Sequence, residues 1–399
     1  MSVLKPGRTT NRTKYLCNHI QKIKPVKQFI YTFSTAVFFL LANACTEATI
    51  FMGDGGNEGK GDVEEGVPLS VKILGLSVEI ESRSIATGGA VAGVANPNPL
   101  MQVGLSVTKA NGSAYAGGIH TQVFVYNATA VSPGWELAEG EEILLLFSEK
   151  GTVYGYAPAE KSVSLSGTPK VPVMSGVKVL DKQKFYFSDT HDPVDASTDV
   201  QWETDQDDFL YCKVPTEVDR WHPEVSLTMN HALAKVSFRV LETDGGSEFA
   251  DSRVKKVVLK SNGGFKKSTS AKLNLATGEL NGTMPAVGEL WFTADGDLRR
   301  VGTEVGADED DIRKVAIQVF GMVIPVVDVP VTLELTLDNG SVFTMAPAAG
   351  GGGASTFIAN WLKGNNYIYN IRLSPQGISI ANVEVVGWTE GGTTDVPVE

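Results

Sequence analysis

The chain is short of the side chains that build metal centres, disulfide frameworks and most catalytic sets: its 399 residues include three cysteines and five histidines. Cys17, Cys45 and Cys212 are too few and too scattered for a disulfide scaffold or a cysteine-rich metal site. The four histidines beyond residue 45 are His120, His191, His222 and His231; no pair has the spacing of a zinc-binding helix, and Cys212 has no cysteine partner. Cys212 with His222 and His231 can be imagined as a nucleophile set, but three unrelated sheet residues is the simpler reading. Cys212 then serves as a small buried hydrophobe. Helical periodicity is also scarce: only Asp308 to Val315 is expected to form one or two helical turns. The glycines at 350–353 follow no parallel strand and open no helix, so they form no phosphate cradle. Basic charge is in deficit, 34 residues against 46 acidic ones for a net −12, which sets the chain against nucleic-acid phosphates. No constellation supports an enzyme, a cofactor or a metal.

What is present points to a folded, exported body. Apolar residues make up 42% and charged residues 20%, which excludes wholesale disorder. Seven basic residues fall between Lys5 and Lys27, and no acid precedes Glu47. The uncharged run from Phe29 to Ala44 follows, too short to span a bilayer comfortably. Basic segment, apolar core and small residues before a cut are the anatomy of an export signal, assigned to residues 1–44. Leu41-Ala-Asn-Ala-Cys45 resembles the lipobox of bacterial lipoproteins, in which the cysteine becomes the lipidated N-terminus, although Leu41 stands four residues before Cys45 where that pattern has three. The competing reading is an ordinary signal peptide with Cys45 incidental. Removing residues 1–45 takes away seven positive charges and no negative ones, so the remainder carries a formal −19. Residues 53–66 hold six glycines and five acids, and the segment 45–67 reads as a flexible tether.

From Val67 onward the dominant period is two. Val331, Leu333, Leu335 and Leu337 alternate with polar residues, Asp338-Asn-Gly340 turns the chain, and Val342 and Phe343 resume. Leu273 and Leu275 lead into a turn at Gly278. Tyr367, Tyr369, Ile371 and Leu373 run into Pro375-Gln-Gly377 and a strand from Ile378 towards Trp388. Val254 to Leu259 is another short strand. Apolar residues occupy odd positions at Val225, Leu227 and Met229 but even positions from Ala232 to Val240, with Lys235, Ser237 and Arg239 opposite. The phase flips at Asn230-His231, which predicts one long bulged strand or two strands with a tight corner. Many short strands with frequent turns predict an all-β chain of β-sandwiches. The polar stretch from Glu242 to Asp251 divides it into segments 68–245 and 246–399, each long enough for its own core.

Two weaker signals accompany this pattern. Glu203, Asp205, Asp207 and Asp208 form an acidic cluster that could take calcium, but it lacks a calcium-loop glycine pattern, and a solvated acidic loop is the favoured reading. Beside it, His231 is read as a hydrogen-bonded histidine at the bulge. Asn111, Asn127 and Asn281 match the glycosylation pattern by chance in a chain with a bacterial leader.

Several stretches together resemble the fimbrillin family, subunits and accessory proteins of the pili of Gram-negative anaerobes. Val225-Ser-Leu-Thr-Met-Asn-His231-Ala-Leu-Ala-Lys235-Val-Ser-Phe-Arg-Val240 is similar to the family's central strand. Trp361-Leu-Lys-Gly364-Asn-Asn-Tyr367-Ile-Tyr369-Asn-Ile371-Arg-Leu373 is similar to its G-x-x-Y-x-Y strand, and Ile378 to Trp388 to its terminal strand. Leu76 to Ser84 resembles its early strand ending in a serine–arginine pair, and Tyr154-Gly-Tyr156-Ala-Pro158 its Y-x-Y-x-P segment. The resemblance implies two tandem transthyretin-like β-sandwich domains and a lipoprotein carried to the outer membrane. In true pilins it implies cleavage by a trypsin-like protease after an early arginine, then assembly by strand exchange. Arg83 is the candidate cut site, with Ser84 the new N-terminus; the competing reading is an arginine on an ordinary sheet edge. The implied partners are other pilus subunits by strand complementation, the outer membrane through the lipid on Cys45, and host or bacterial surface glycans or proteins. An alternative function is a surface lipoprotein that binds glycans through Trp135, Trp202, Trp221 or Trp291.

Overall fold

The structure is a computed structural model, and it describes residues 64–76, 100–115, 120–127, 134–187, 202–212, 215–243, 248–303, 312–313, 315–345, 356–387 and 393–396. All of them belong to the compact unit Asp62–Glu399. In chain order the strands are β1 Val67–Pro68, β2 Ser70–Leu76, β3 Gln102–Lys109, β4 Thr121–Asn127, β5 Gly134–Leu137, β6 Leu145–Leu146, β7 Gly151–Ala157, β8 Val163–Ser166, β9 Val171–Val179, β10 Lys182–Phe187, β11 Trp202–Thr204, β12 Leu210–Cys212, β13 Thr216–Val218, β14 Glu224–His231 and β15 Ala234–Glu242. They continue as β16 Val254–Lys266, β17 Ser268–Asn274, β18 Leu280–Asn281, β19 Ala286–Gly296, β20 Gly302–Thr303, β21 Val319–Val323, β22 Val326–Leu337, β23 Val342–Thr344, β24 Phe357–Trp361, β25 Asn365–Ser374, β26 Gly377–Gly387 and β27 Thr393–Val396. The expected all-β character holds. Of the helical turn expected between Asp308 and Val315, residues 312 and 313 are helical and most of the rest lies outside the described residues. Among the described residues no helix is long and apolar enough to cross a membrane.

The first half is an eight-stranded sheet ordered β2-β14-β12-β7-β3-β4-β5, with β13 added on β7. Its two ends, β2 and β5, come into contact, so the sheet curls round its own core. That core takes Val103, Leu105 and Val107 from β3, Val153 and Ala157 from β7, and Val225, Leu227 and Met229 from β14. The alternation along β14 is the one the sequence predicts, with Ser226 and Thr228 exposed between the apolar residues.

In the second half two sheets face each other. One is the seven-stranded β11-β10-β19-β16-β22-β23, with β24 on β22. The other is the six-stranded β20-β15-β25-β26-β27, with β21 on β15. Between them lies one core, with Phe238 stacked on Tyr369 at 5.6 Å, 5.9 Å from Phe292, and with Phe265 stacked on Trp361 at 5.6 Å. The hairpins read from the sequence are present. β22 turns into β23 through Gly340 at φ 86°, and β25 turns into β26 with Ser374 opposite Gly377.

Strands from both sides of residue 245 share sheets. β10 runs parallel to β19, and β9 pairs with β17 in the four-stranded sheet β18-β17-β9-β8. β15 runs parallel to β25 over eight register pairs, from Lys235 opposite Asn366 to Glu242 opposite Leu373. A third apolar cluster joins the halves: Tyr154, Tyr156, Met174, Phe209 and Tyr211 pack with Leu273, Leu275 and Met322. This explains the Tyr154-Gly-Tyr156 segment. Val153 and Ala157 point into the first core, and the two tyrosines point from the other face of β7 into the junction. Gly104 on β3, opposite Tyr156, makes the fit feasible, because a Cβ there would fall 2.1 Å from the tyrosine ring.

Burial pushes the Tyr156 hydroxyl from its ordinary 10.0 up to about 12, with Glu141 adding to the effect. The folded state then holds this proton more tightly than the unfolded chain. The associated stability is complete below pH 10 and is lost as pH rises towards 12. At about 1.4 kcal/mol per unit the loss is about 2–3 kcal/mol. Urea unfolding between pH 9 and 12 should show this slope, and Tyr156→Phe should make it shallower, the other buried tyrosines keeping the rest. An unchanged slope in the variant would contradict the assignment.

Candidate functional site

Three features of the sequence bear on function: the early strand before Arg83, the corner at His231 and the surface aromatics. Cys45, Arg83 and Ser84, together with the expected signal peptide 1–44 and most of the expected tether 45–67, lie outside the described residues.

The early strand, β2, is the terminal strand of the eight-stranded sheet and runs parallel to β14, with Val71 opposite Val225 and Met229 opposite Leu76. Among the described residues its other edge has no ladder partner. Leu69 and Val71 are buried in the first core. The segment is stitched down by main-chain bonds: Leu69 N donates to Leu144 O at 3.1 Å, Ser70 N to Pro223 O at 3.0 Å, and β1 pairs β6. Its one charged link, Lys72 to Glu224 at 3.4 Å, is exposed on both sides and adds little. Beside β2 in the same sheet, β14 turns Val225, Leu227 and Met229 into the first core, each no more than 2% exposed. An occupied edge position beside apolar core residues thus sits at β2.

At the corner the structure selects the second of the two sequence readings. β14 ends at His231, residues 232 and 233 turn, and β15 begins at Ala234 in a different sheet. The phase flip therefore marks a change of sheet. His231 Nδ1 donates to Asp208 Oδ2 at 2.8 Å, both side chains being essentially inaccessible. This breaks up the acidic cluster. Asp208 is buried on His231, Asp207 pairs with Lys161 at 2.9 Å, and Asp205 accepts from Lys184 N at 2.8 Å. The expectation of a solvated loop is thus corrected for Asp208, which the corner histidine draws inward. Among the described residues no group of histidine, cysteine and carboxylate side chains is arranged to hold a metal. Cys212 is fully buried in the first core, as expected of a small hydrophobe.

Lys235, Ser237 and Arg239 do lie opposite the apolar residues of β15, but they are buried. Arg239 donates from Nε to Val315 O at 3.0 Å and pairs through NH1 with Glu384 Oε1 at 2.7 Å. Asn370 Nδ2 donates to the same carboxylate oxygen at 2.7 Å, and Ser237 Oγ donates to Asn366 at 2.8 Å. Ile312 and Val315 pack on Leu241 over this face. No local pattern announces such a cover; the one sequence signal is Glu384 within the apolar run Val383 to Val386.

The tryptophans divide. Trp361, within the resemblance to the G-x-x-Y-x-Y strand, is buried, and its Nε1 donates to Tyr369 OH at 2.7 Å. Burial raises the Tyr369 hydroxyl, the Trp361 bond opposing it. Trp135 packs against the first core edge-on to Tyr126 at 5.5 Å. Trp221 is 65% exposed on a turn locked by Asp219, whose Oδ1 accepts from Trp221 N, His222 N and His222 Nδ1, each at 2.9 Å. Burial opposes ionisation of Asp219, but these bonds outweigh it and hold the carboxyl below its ordinary value. Trp291 lies on the outer face of the seven-stranded sheet; the Trp202 side chain lies outside the described residues.

Comparison with known proteins places these features in a family. No curated protein matches the chain in sequence. Solved structures similar to it include a candidate cell adhesion protein from Bacteroides uniformis, 16% identical, TM-score 0.47, covering 72% of this chain and 91% of that one. A fimbrial protein from Bacteroides vulgatus is 12% identical, TM-score 0.42, covering 72% and 93%. The tip fimbrial protein Mfa3 from Porphyromonas gingivalis, with C-terminal truncation, is 10% identical, TM-score 0.34, covering 73% and 95%. The decisive match is to the family model described as fimbrillin-like, over residues 101–388, well over half of the chain. The chain belongs to the fimbrillin-like family, a structural and non-catalytic one.

Proposed function

We propose that this chain is a surface fimbrial subunit, structural or adhesive, that joins other pilus subunits by donor-strand exchange. In this reading residues 1–44 direct export, Cys45 carries the lipid that anchors the chain in the outer membrane, and 45–67 is the tether. The body is two tandem transthyretin-like β-sandwiches, 68–245 and 246–399, with β9, β10 and β15 lent by the first segment to the sheets of the second. A trypsin-like cut after Arg83 leaves Ser84 as the N-terminus and releases the anchor together with β2.

The observation that carries the proposal is the place of β2. It is an edge strand, it precedes Arg83, and it pairs with β14, whose Val225, Leu227 and Met229 share the first core with Val71. Its departure would bare a row of main-chain donors and acceptors on β14 and the apolar place that Val71 fills, which is what an incoming strand binds. Family membership and the fimbrial and adhesion proteins among the similar structures support the same reading. The tail is engaged elsewhere, since β27 already pairs with β26.

Electron microscopy of cells expressing the chain should show filaments, and Arg83→Ala should abolish them while the protein stays on the surface. Filaments of undiminished number and length built from the Arg83→Ala chain would sink the cleavage step; an absence of filaments from the unaltered chain would remove the subunit role.

A further inference from the structure

The outer face of the seven-stranded sheet carries an arrangement that pilus assembly does not use. Trp291 of β19 stands between Lys182 of β10, directly across the ladder, and Lys256 of β16, one diagonal away. The two ammonium groups lie 4.1 and 4.5 Å from the indole centroid. Among the described residues neither lysine forms an ion pair, although the chain beyond residue 45 carries a formal −19. Three carboxylates that share the face are engaged: Glu289 accepts from Trp291 Nε1 at 2.9 Å, Glu334 pairs with Lys260 at 2.8 Å, and Asp295 accepts from Gly296 N at 3.0 Å. Further along β10 the same face presents Lys184 and Tyr186, the latter 40% exposed. The distance from Lys182 to Tyr186 along the strand is about 13 Å.

The geometry points to a binding site for an acidic polysaccharide, with its sulfate or carboxylate groups met by Lys182 and Lys256, which flank Trp291. Two like charges drawn to one ring repel each other, and the indole offsets this only in part. Anionic groups placed at the two lysines offset the repulsion, and each gains a charge-assisted hydrogen bond. Glu289 fixes the indole, so the ammonium groups are positioned before the ligand arrives. A sheet face that carries Trp291 and Tyr186 with Lys182, Lys184 and Lys256 around them suits an extended sugar chain, whose rings offer apolar faces to the aromatics and anions to the lysines. An acidic peptide would satisfy the lysines but would leave this aromatic spacing unused.

The proposal is independent of assembly, and it is tested on purified residues 46–399, whether or not they form filaments. The probes are heparin as a sulfated polysaccharide, dextran as an uncharged one and polyglutamate as an acidic peptide, in calorimetric titrations at low and high salt. Heparin should bind, more weakly as salt rises. Lys182→Ala/Lys256→Ala should weaken it by about tenfold or more, and Trp291→Ala should weaken it as well. Unchanged thermal unfolding would show that the double variant still folds; should Trp291→Ala fail to fold, the lysine variant decides alone. Absence of heparin binding, equal binding of dextran, equal or tighter binding of polyglutamate, or indifference to the lysine substitutions would each overturn the site.

Discussion

Residues 246–399 expressed alone will not fold. Their length is sufficient for a sandwich, but the strands they need begin earlier in the chain. β15, residues Ala234–Glu242, has β25 on one side and β20 and β21 on the other. It supplies Ala234, Val236, Phe238 and Val240 to the second core, each fully buried. Removing it separates β25 and β26 from β20 and β21 and opens the core lengthwise. The fragment also lacks β9 and β10, leaving β17 and β19 without those neighbours. A domain of this size has only about 5–15 kcal/mol of net stability, and the loss of a central strand exceeds that margin. Circular dichroism of the fragment should show no strand signal and no cooperative melting, whereas residues 46–399 should melt cooperatively. A folded, cooperatively melting fragment would refute the shared-strand architecture.

Phe238→Ala should cost about 3–5 kcal/mol. Phe238 is fully buried on β15, stacked at 5.6 Å on Tyr369 of the neighbouring strand and 5.9 Å from Phe292 of the facing sheet. Truncation loses the transfer energy of the ring and leaves a cavity among rigid strands that cannot collapse to fill it. Ile358→Ala, at a position 54% exposed on β24, should change stability by no more than about 0.5 kcal/mol. Urea unfolding of both variants checks the pair. A Phe238→Ala cost below about 1 kcal/mol would mean that the two sheets do not meet at this ring.

The sequence was most informative where pairing is local. Val331, Leu333, Leu335 and Leu337 alternate cleanly because one face of β22 is buried and the next strand follows a tight turn. The phase flip at Asn230-His231 was also readable, and the structure shows its cause as a change of sheet. Distant pairing left no trace. β2 on β14, β10 on β19 and β15 on β25 are all parallel, and parallel neighbours need long connections that carry no turn signal. The burial of Lys235 and Arg239 was hidden for a related reason: alternation shows that a residue faces away from one core and is silent about what covers the other side. Trp291 was readable as one of four candidate sugar-stacking tryptophans, but its neighbours were not, since Lys182 and Lys256 arrive beside it from separate strands.

The most direct test of the fimbrial reading is the N-terminal sequence of the chain recovered from surface filaments. The account predicts a terminus at Ser84, with Cys45 and β2 absent from the polymerised subunit. A polymerised chain that still begins at lipid-modified Cys45 would contradict it.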